Sequence, residues 1–317
     1  MNFSVLTSQF WSLAFQGLAL GLIYSLVSLG YTMVYGVLRL INFANSEVFM
    51  LGTFATFYLE SYVFDVTTTG KQYRGMQVVW ILLASLIASM IVCAVVAMLV
   101  EVVAYRRLRA RGANKLASLI SAIGVSIFLS EGMRIITASK PLASPRVLQK
   151  WSFGTIAGAD IRIDTVLAII IPIIVFVILD RFVTKTRLGK SIRAVSMSEE
   201  NSKLMGININ RVITLTFCIG GLTTGIAAFL YTTVYENTVY KVGFTMGIAA
   251  FTAAVLGGIG NLRGAFYGGL ALGILEQYAS AILGSQWKSV TVFLVLVLVL
   301  LFKPNGLFGE AVQQTRT

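Results

Sequence analysis

From Met76 to Val100 the chain carries no charged residue, and this run is one of a series. Comparable apolar stretches cover about Phe10–Gly36, Val48–Phe64, Leu116–Ala138, Thr165–Phe182, Val212–Tyr235, Gly243–Gly273 and Lys288–Phe302. Roughly 20 apolar residues cross a hydrocarbon layer as an α-helix, which satisfies its own backbone polar groups without water. A water-soluble core cannot absorb so many such runs. Hydrophobic residues make up 57% of the chain and charged residues 12%, and mean hydropathy is +0.83. A soluble domain has about 45–50% and about 25%. The expected fold is all-α and polytopic, with about eight transmembrane helices in one membrane domain over residues 1–317. The first run is long for one straight helix and is expected to tilt or break near Gly30. Gly17 and Gly21 offer a small-xxx-small face for close packing. The Gly243–Gly273 stretch is expected to break at Gly260-Asn-Leu-Arg-Gly264, the next span ending near Leu283.

The net charge of +12 lies in the connecting loops, which points to membrane topology rather than nucleic acid. With alternating spans, one side collects about twice as many Lys and Arg as the other. The positive-inside rule makes that side cytoplasmic, with the N-terminus outside. No Lys or Arg precedes the first apolar run, so it reads as a span rather than a signal peptide. Cys93 and Cys218 each lie inside an apolar run and read as small core residues. The chain has no histidine, which removes the commonest general base and metal ligand; no metal site is expected.

The longest basic insertion runs from Asp180 to Arg211 and carries Arg181, Lys185, Arg187, Lys190, Arg193, Lys203 and Arg211. Ser196 followed by Glu199 has the spacing of a capping box. Gly206 after Leu204-Met205 reads as a helix stop. A short amphipathic helix over Ser196–Met205 is expected, with an apolar edge for a partner. Gly189-Lys190-Ser191 has the ending of a phosphate loop, but Thr184 stands where its first glycine belongs and an apolar span precedes it. The phosphate cradle needs that glycine and a strand–helix setting. No nucleotide site is expected, so any ATPase would be a separate chain.

Two interruptions of the apolar pattern invite attention. Asn42, Asn45, Ser46 and Glu47 form either a solvated turn or a broken helix lining a polar path. The glycines from Gly257 to Gly273, with Asn261 and Arg263, form either a close-packing device or a second broken helix facing the path. Among the ionisable residues in apolar runs, Glu131 and Arg134 are three apart on one helix face. Glu101 lies near the Arg106–Arg111 cluster. Glu276 has no basic neighbour in sequence, so it either lines a cavity or sits near the outer interface.

Taken together, these segments resemble the permease subunits of branched-chain amino acid ABC importers, the LIV type. Gly17-Leu-Ala-Leu-Gly-Leu-Ile-Tyr-Ser-Leu26 and Gly30-Tyr-Thr-Met-Val-Tyr-Gly36 look like the family's first span. Ile41-Asn-Phe-Ala44 with Glu47 resembles its N-F-A-H-G-E motif, and Glu101–Arg109 its E-R-x-A-Y-R-P-x-R run. Leu119–Leu129, Arg193-Ala194, Leu204–Asn208, Phe251–Gly260 with Gly264-Ala265, and Pro304–Gly309 follow in the family's order. The chain departs from the pattern at Asn45-Ser46, where the family has His-Gly, and at Val102 and Arg107.

The resemblance implies a multi-pass plasma-membrane permease of an ATP-driven importer for branched-chain or other neutral amino acids. It would not itself be an enzyme, and it would hold no cofactor of its own. Its implied partners are a second related permease, two cytoplasmic ABC ATPases that bind ATP and Mg, an extracytoplasmic substrate-binding protein, and membrane lipid. Coupling to the ATPases would fall to the loop 181–211, through Arg193, Ala194, Ser196, Glu199, Glu200, Leu204, Met205 and Gly206. The translocation path would involve Asn42, Phe43, Asn45, Ser46 and Glu47, together with Gly257, Gly258, Gly260, Asn261 and Gly264. The rival within the family is a urea or short-chain amide permease, although Glu276-Gln-Tyr-Ala-Ser-Ala with Trp287-Lys288 looks more like the amino acid branch. A more distant rival is an ion-coupled secondary transporter, which would need a buried unpaired carboxylate.

Overall fold

The computed structural model describes residues 9–66, 73, 75–148, 152–156 and 159–309. Trp151, Lys71, Arg74 and Lys150 of the polar loops, and the tail from residue 310, lie outside the described residues. The chain is a helical bundle. Its helices are α1 (Phe10–Leu38), α2 (Ala44–Tyr58), α3 (Met76–Ala110), α4 (Lys115–Ile136), α5 (Ile163–Lys185), α6 (Arg187–Met197) and α7 (Glu199–Leu204). They continue with α8 (Ile209–Tyr235), α9 (Val242–Gly257), α10 (Leu262–Leu283) and α11 (Lys288–Phe302). Two short antiparallel pairings, Leu142–Ala143 with Asn237–Thr238 and Ser152–Ile156 with Ala159–Arg162, tie loops at one end.

Among the described residues six helices are long and apolar enough to cross a membrane: α1, α3, α4, α5, α8, and α11 with the 3-10 turn before it. The sequence reading had about eight. Three further helices of the bundle, α2, α9 and α10, are shorter or diluted by glycine and polar residues and fall short of that measure. These three are also among the better-buried helices, so neighbouring helices and not lipid cover their polar groups. The Gly243–Leu283 stretch yields two separate helices, giving nine bundle helices among the described residues.

α1 and α8 are buried along most of their length, while α4, α5 and α11 turn apolar faces outward. α1 does not break at Gly30, as the sequence reading allowed; it stays helical for 29 residues, about 40 Å at 1.5 Å per residue. Gly30 instead lets α8 come close, and a Cβ there would meet Thr224 Oγ1 at 2.8 Å. The broadest helix–helix contact joins α1 to α10. A Cβ on Gly21 would meet the carbonyl oxygens of Gly269 and Leu270 at 2.9 Å, and one on Gly273 would run into the Gly21 backbone. Lipid gives helices no hydrophobic reason to associate, so close backbone approach and dispersion supply the attraction.

The basic residues assigned to the inner side gather at one end of the bundle. Arg39 Nη2 donates to the Ser196 carbonyl at 3.1 Å, and Arg263 makes a two-pronged pair with Asp180 at 3.0 and 3.1 Å. Glu101, fully buried, accepts from Arg109 at 2.7 Å and from Thr214 at 3.0 Å, with Arg106 3.4 Å away. Glu131 and Arg134 pair with each other, as their spacing suggested. At the opposite end Arg146 pairs with Glu236 at 2.6 Å, and Arg162 pairs with Asp164.

Candidate functional site

The Asn42–Glu47 segment is not a solvated turn. α1 ends at Leu38, Arg39 takes a left-handed backbone with φ 50, and α2 begins at Ala44. This places Asn42, Asn45, Ser46 and Glu47 inside the bundle, each buried, with Phe43 half-buried. Asn42 Oδ1 accepts from the Tyr105 hydroxyl at 3.0 Å and from the Ala44 amide at 3.2 Å. Asn45 Nδ2 donates to Thr224 Oγ1 at 3.3 Å, near the middle of α8. Ser46 Oγ donates to the Phe43 carbonyl at 2.5 Å. A Cβ on Gly247 would fall between Ser46 and the Tyr31 hydroxyl.

Glu47 is 2% exposed. Its Oε1 accepts from Ser126 Oγ, in the middle of α4, at 3.4 Å, and its Oε2 has no hydrogen-bond partner among the described residues. A carboxylic side chain at membrane depth costs ~2.5–3.5 kcal/mol on insertion scales. One long hydroxyl contact returns little of that. Tyr31, Tyr105, Ser126 and Thr224 complete this cluster and were not legible in sequence, because lone hydroxyls in apolar helices look like ordinary packing residues.

The glycine-rich break is different. α9 ends at Gly257, Gly258 takes φ +101, and Asn261 caps α10 by accepting from the amides of Arg263 at 3.0 Å and Gly264 at 3.2 Å. A Cβ on Gly257 would run into the Gly264 backbone. The closing segment Pro304–Gly309 folds onto this turn. The amides of Leu307 and Phe308 donate to the carbonyls of Leu256 and Gly257 at 2.8 and 3.1 Å, and Asn261 Nδ2 donates to the Phe308 carbonyl at 2.9 Å. Gly260 carries φ +99. Two motifs about fifty residues apart in sequence are thus one joint, at the basic end.

The basic loop holds two helices where one was expected. Thr186 caps α6, its Oγ1 accepting from the Gly189 amide at 3.0 Å. Gly189 packs against the carbonyls of Phe182 and Val183, so Gly189-Lys190-Ser191 is a tight helix–helix corner and not a phosphate cradle. α6 buries Ile192 and Val195 against the bundle. The cap of α7 is Ser198, not Ser196: Ser198 Oγ accepts from the Asn201 amide at 3.3 Å, while Ser196 lies within α6 and donates to the Arg193 carbonyl at 2.7 Å. Residue 198 is extended, with φ −156 and ψ 117, and this interrupts the helix there. Glu199 and Glu200 sit in the first turn of α7, where the helix dipole favours acids. Gly206 stops the helix as expected, with φ +77; its amide and that of Ile207 bond back to Lys203 and Ser202 in a Schellman pattern.

Arg193 is exposed and donates to the Thr184 carbonyl at 3.1 Å, and Ala194 is half-buried. Met197, Leu204 and Met205 are more than four-fifths exposed (83%, 87% and 83%). Met197 was missed in sequence because the expected helix began at Ser196 and left it no distinct face. Glu276 is buried at the opposite end, where it accepts from the Tyr24 hydroxyl at 2.7 Å.

Residues 13–300 match the family model described as the permease component of the branched-chain amino acid transport system. The chain is 40% identical over 299 residues to the high-affinity branched-chain amino acid transport system permease protein BraD of Pseudomonas aeruginosa, covering 93% of this chain and 94% of that one. It is 37% identical over 300 residues to the permease protein LivH of Escherichia coli, with the same coverage. The ribose import permease protein RbsC of Haemophilus influenzae is 26% identical over 154 residues, 45% of this chain and 48% of that one. No solved structure matches. The chain therefore belongs to the family of branched-chain amino acid transport permeases: it is a multi-pass membrane permease component and not itself an enzyme.

Proposed function

We propose that this chain carries branched-chain and related neutral amino acids across the plasma membrane, coupled to ATP hydrolysis in separate cytoplasmic subunits. The observation that carries this reading is the pairing of the family match over residues 13–300 with the exposed apolar side chains Met197, Leu204 and Met205 on the basic loop. Large apolar side chains left exposed on a basic loop mark a candidate partner surface. Two ABC ATPases are the proposed partners there, binding ATP and Mg in their own chains. A second permease would cover the apolar flanks of the bundle, and an extracytoplasmic binding protein would deliver substrate. With the basic end inside, nine crossings put the N-terminus outside and the C-terminal segment inside.

In this mechanism the ATPases close on ATP, and α6–α7 convey the movement. α6 is anchored to α5 at Gly189 and to α1 through Arg39, so displacement of the loop acts on the helix that bears the Asn42–Glu47 break. Asn42, Asn45, Ser46 and Glu47 serve the path; the Gly257–Gly264 turn serves as the joint about which α9 and α10 are held. The test is ATP-dependent uptake of labelled leucine in vesicles holding the assembled transporter, comparing wild type with Leu204→Asp/Met205→Asp. The variant is expected to insert normally and to lose uptake together with binding-protein-stimulated ATP hydrolysis. Full coupled transport in the variant would rule out this surface as the coupling site. A protonophore at fixed ATP is expected to leave uptake intact, which an ion-coupled transporter would not tolerate.

A further inference from the structure

At the end of the bundle opposite the basic loop, α1, α8, α9, α10 and α11 line a half-open cavity of about 780 Å³, with Phe244, Phe293 and Leu294 exposed at its outer wall; the volume falls within the ~300–1,000 Å³ range of small-molecule sites. Most of its wall is apolar, from residues such as Leu20, Ala249 and Val292. Its polar groups are few and distinct. Glu276, 4% exposed, is fixed by the Tyr24 hydroxyl at 2.7 Å. Tyr231 and Tyr235, with ring centroids 4.7 Å apart, line the same space. Lys288 lines it as well and stands within electrostatic reach of the Glu276 carboxylate, without an ion pair between them among the described residues. A second, smaller cavity of about 270 Å³ shares Tyr235 and Lys288 and is lined by Gln16, Arg162, Asp164 and Gln277. The larger chamber thus adjoins a polar antechamber at the bundle's end.

A buried carboxyl group beside aromatic faces suits an ammonium group, and a separate lysine suits a carboxylate. An apolar wall suits an aliphatic side chain. We infer that this chamber is a subsite for a zwitterionic aliphatic amino acid, with Glu276 receiving the α-ammonium and Lys288 the α-carboxylate. The inference rests on the substrate class proposed above. Its place in the fold agrees with transit: Tyr24 and Tyr31 are two turns apart on one face of α1, about 10 Å along the axis. Tyr31 lies at Ser46 in the Asn42–Glu47 cluster, so the chamber stands one step outward of that cluster. The glycine-poor face of α9, with Phe244, Thr245 and Ile248, lines the chamber, while Gly243 and Gly247 abut Ser46 and Glu47. One helix borders both places.

The test uses the full transporter in phosphatidylcholine vesicles, with a photoreactive diazirine analogue of leucine as the probe. Wild type is expected to import leucine on ATP and to be labelled on peptides from α9 and α11. Excess leucine removes the label, whereas isocaproate and isoamylamine, each lacking one of the two charges, do not. Glu276→Gln is expected to cut labelling about tenfold or more, and so is Lys288→Met, which leaves the Tyr24 contact untouched. Leucine import with labelling elsewhere, or unchanged labelling in both variants, overturns the subsite and leaves the importer reading standing. Labelling that vanishes when phosphatidylethanolamine is added gives the cavity to a lipid ammonium and also overturns it. A wild type that imports no branched-chain amino acid brings down both readings.

Discussion

The two interruptions of the helical pattern, Asn42–Glu47 and Gly257–Gly264, look alike in sequence and do opposite things in the structure. At Gly257–Gly264 polar groups find partners within the turn or in Pro304–Gly309, and the glycines sit where a Cβ would strike backbone. At Asn42–Glu47 the polar side chains are buried and bonded across the bundle to Tyr105, Thr224 and Ser126, and Glu47 keeps one oxygen without a partner among the described residues. The first is a joint held by its own hydrogen bonds and by those of the Pro304–Gly309 segment. The second leaves one carboxyl oxygen unpartnered among the described residues, which is why the proposed path is placed there and not at the joint. A break in an apolar helix therefore says little about function until its hydrogen bonds are traced.

Substitutions can sharpen that contrast. The largest effect is expected from Gly257→Val, since backbone at Gly264 cannot yield as a flexible side chain would. Loss of more than about 3 kcal/mol, within the upper range of overpacking, should appear as failure to accumulate in the membrane. Normal accumulation would mean the joint can open. Asn45→Leu should behave in the reverse way: protein level and thermal stability hold, because replacing a weakly bonded pair member costs only about 1 kcal/mol, while leucine uptake drops about tenfold. If uptake per folded transporter holds and stability falls instead, the cluster is structural. Asn261→Ala removes the cap of α10 and should lower the melting temperature by the equivalent of about 1 kcal/mol; transport corrected for folded protein should be unchanged. Smallest of all, Glu131→Gln breaks a half-exposed pair with Arg134, and neither melting nor uptake should move measurably.

The bundle, the basic end and the Gly206 stop were legible because each depends on a local or compositional rule: apolar length, loop charge, a left-handed residue after a helix. The pairings of Glu131 with Arg134 and of Glu101 with its arginines were legible for the same reason, being close in sequence. What escaped was non-local. Nothing near Glu276 announces Tyr24 or a shared cavity with Lys288, and nothing near Gly257 announces the Pro304–Gly309 segment. Ser196 and Ser198 are both sound caps on paper; the choice fell to Ser198 because α6 extends through Met197 to finish burying Ile192 and Val195 against the bundle. The break between α9 and α10 was legible at Gly260-Asn-Leu-Arg-Gly264; which neighbours cover their polar groups was not, since a hydropathy window cannot see them.

The most direct measurement is ATP-driven accumulation of labelled leucine in vesicles containing the assembled transporter, with wild type beside Glu47→Gln. The amide keeps the shape and the Ser126 contact and removes only the capacity to ionise. The account predicts that wild type accumulates leucine while Glu47→Gln, inserted and as heat-stable as wild type, falls by about tenfold or more. A Glu47→Gln transporter that accumulates leucine at the wild-type rate would contradict the assignment of the Asn42–Glu47 break to the path.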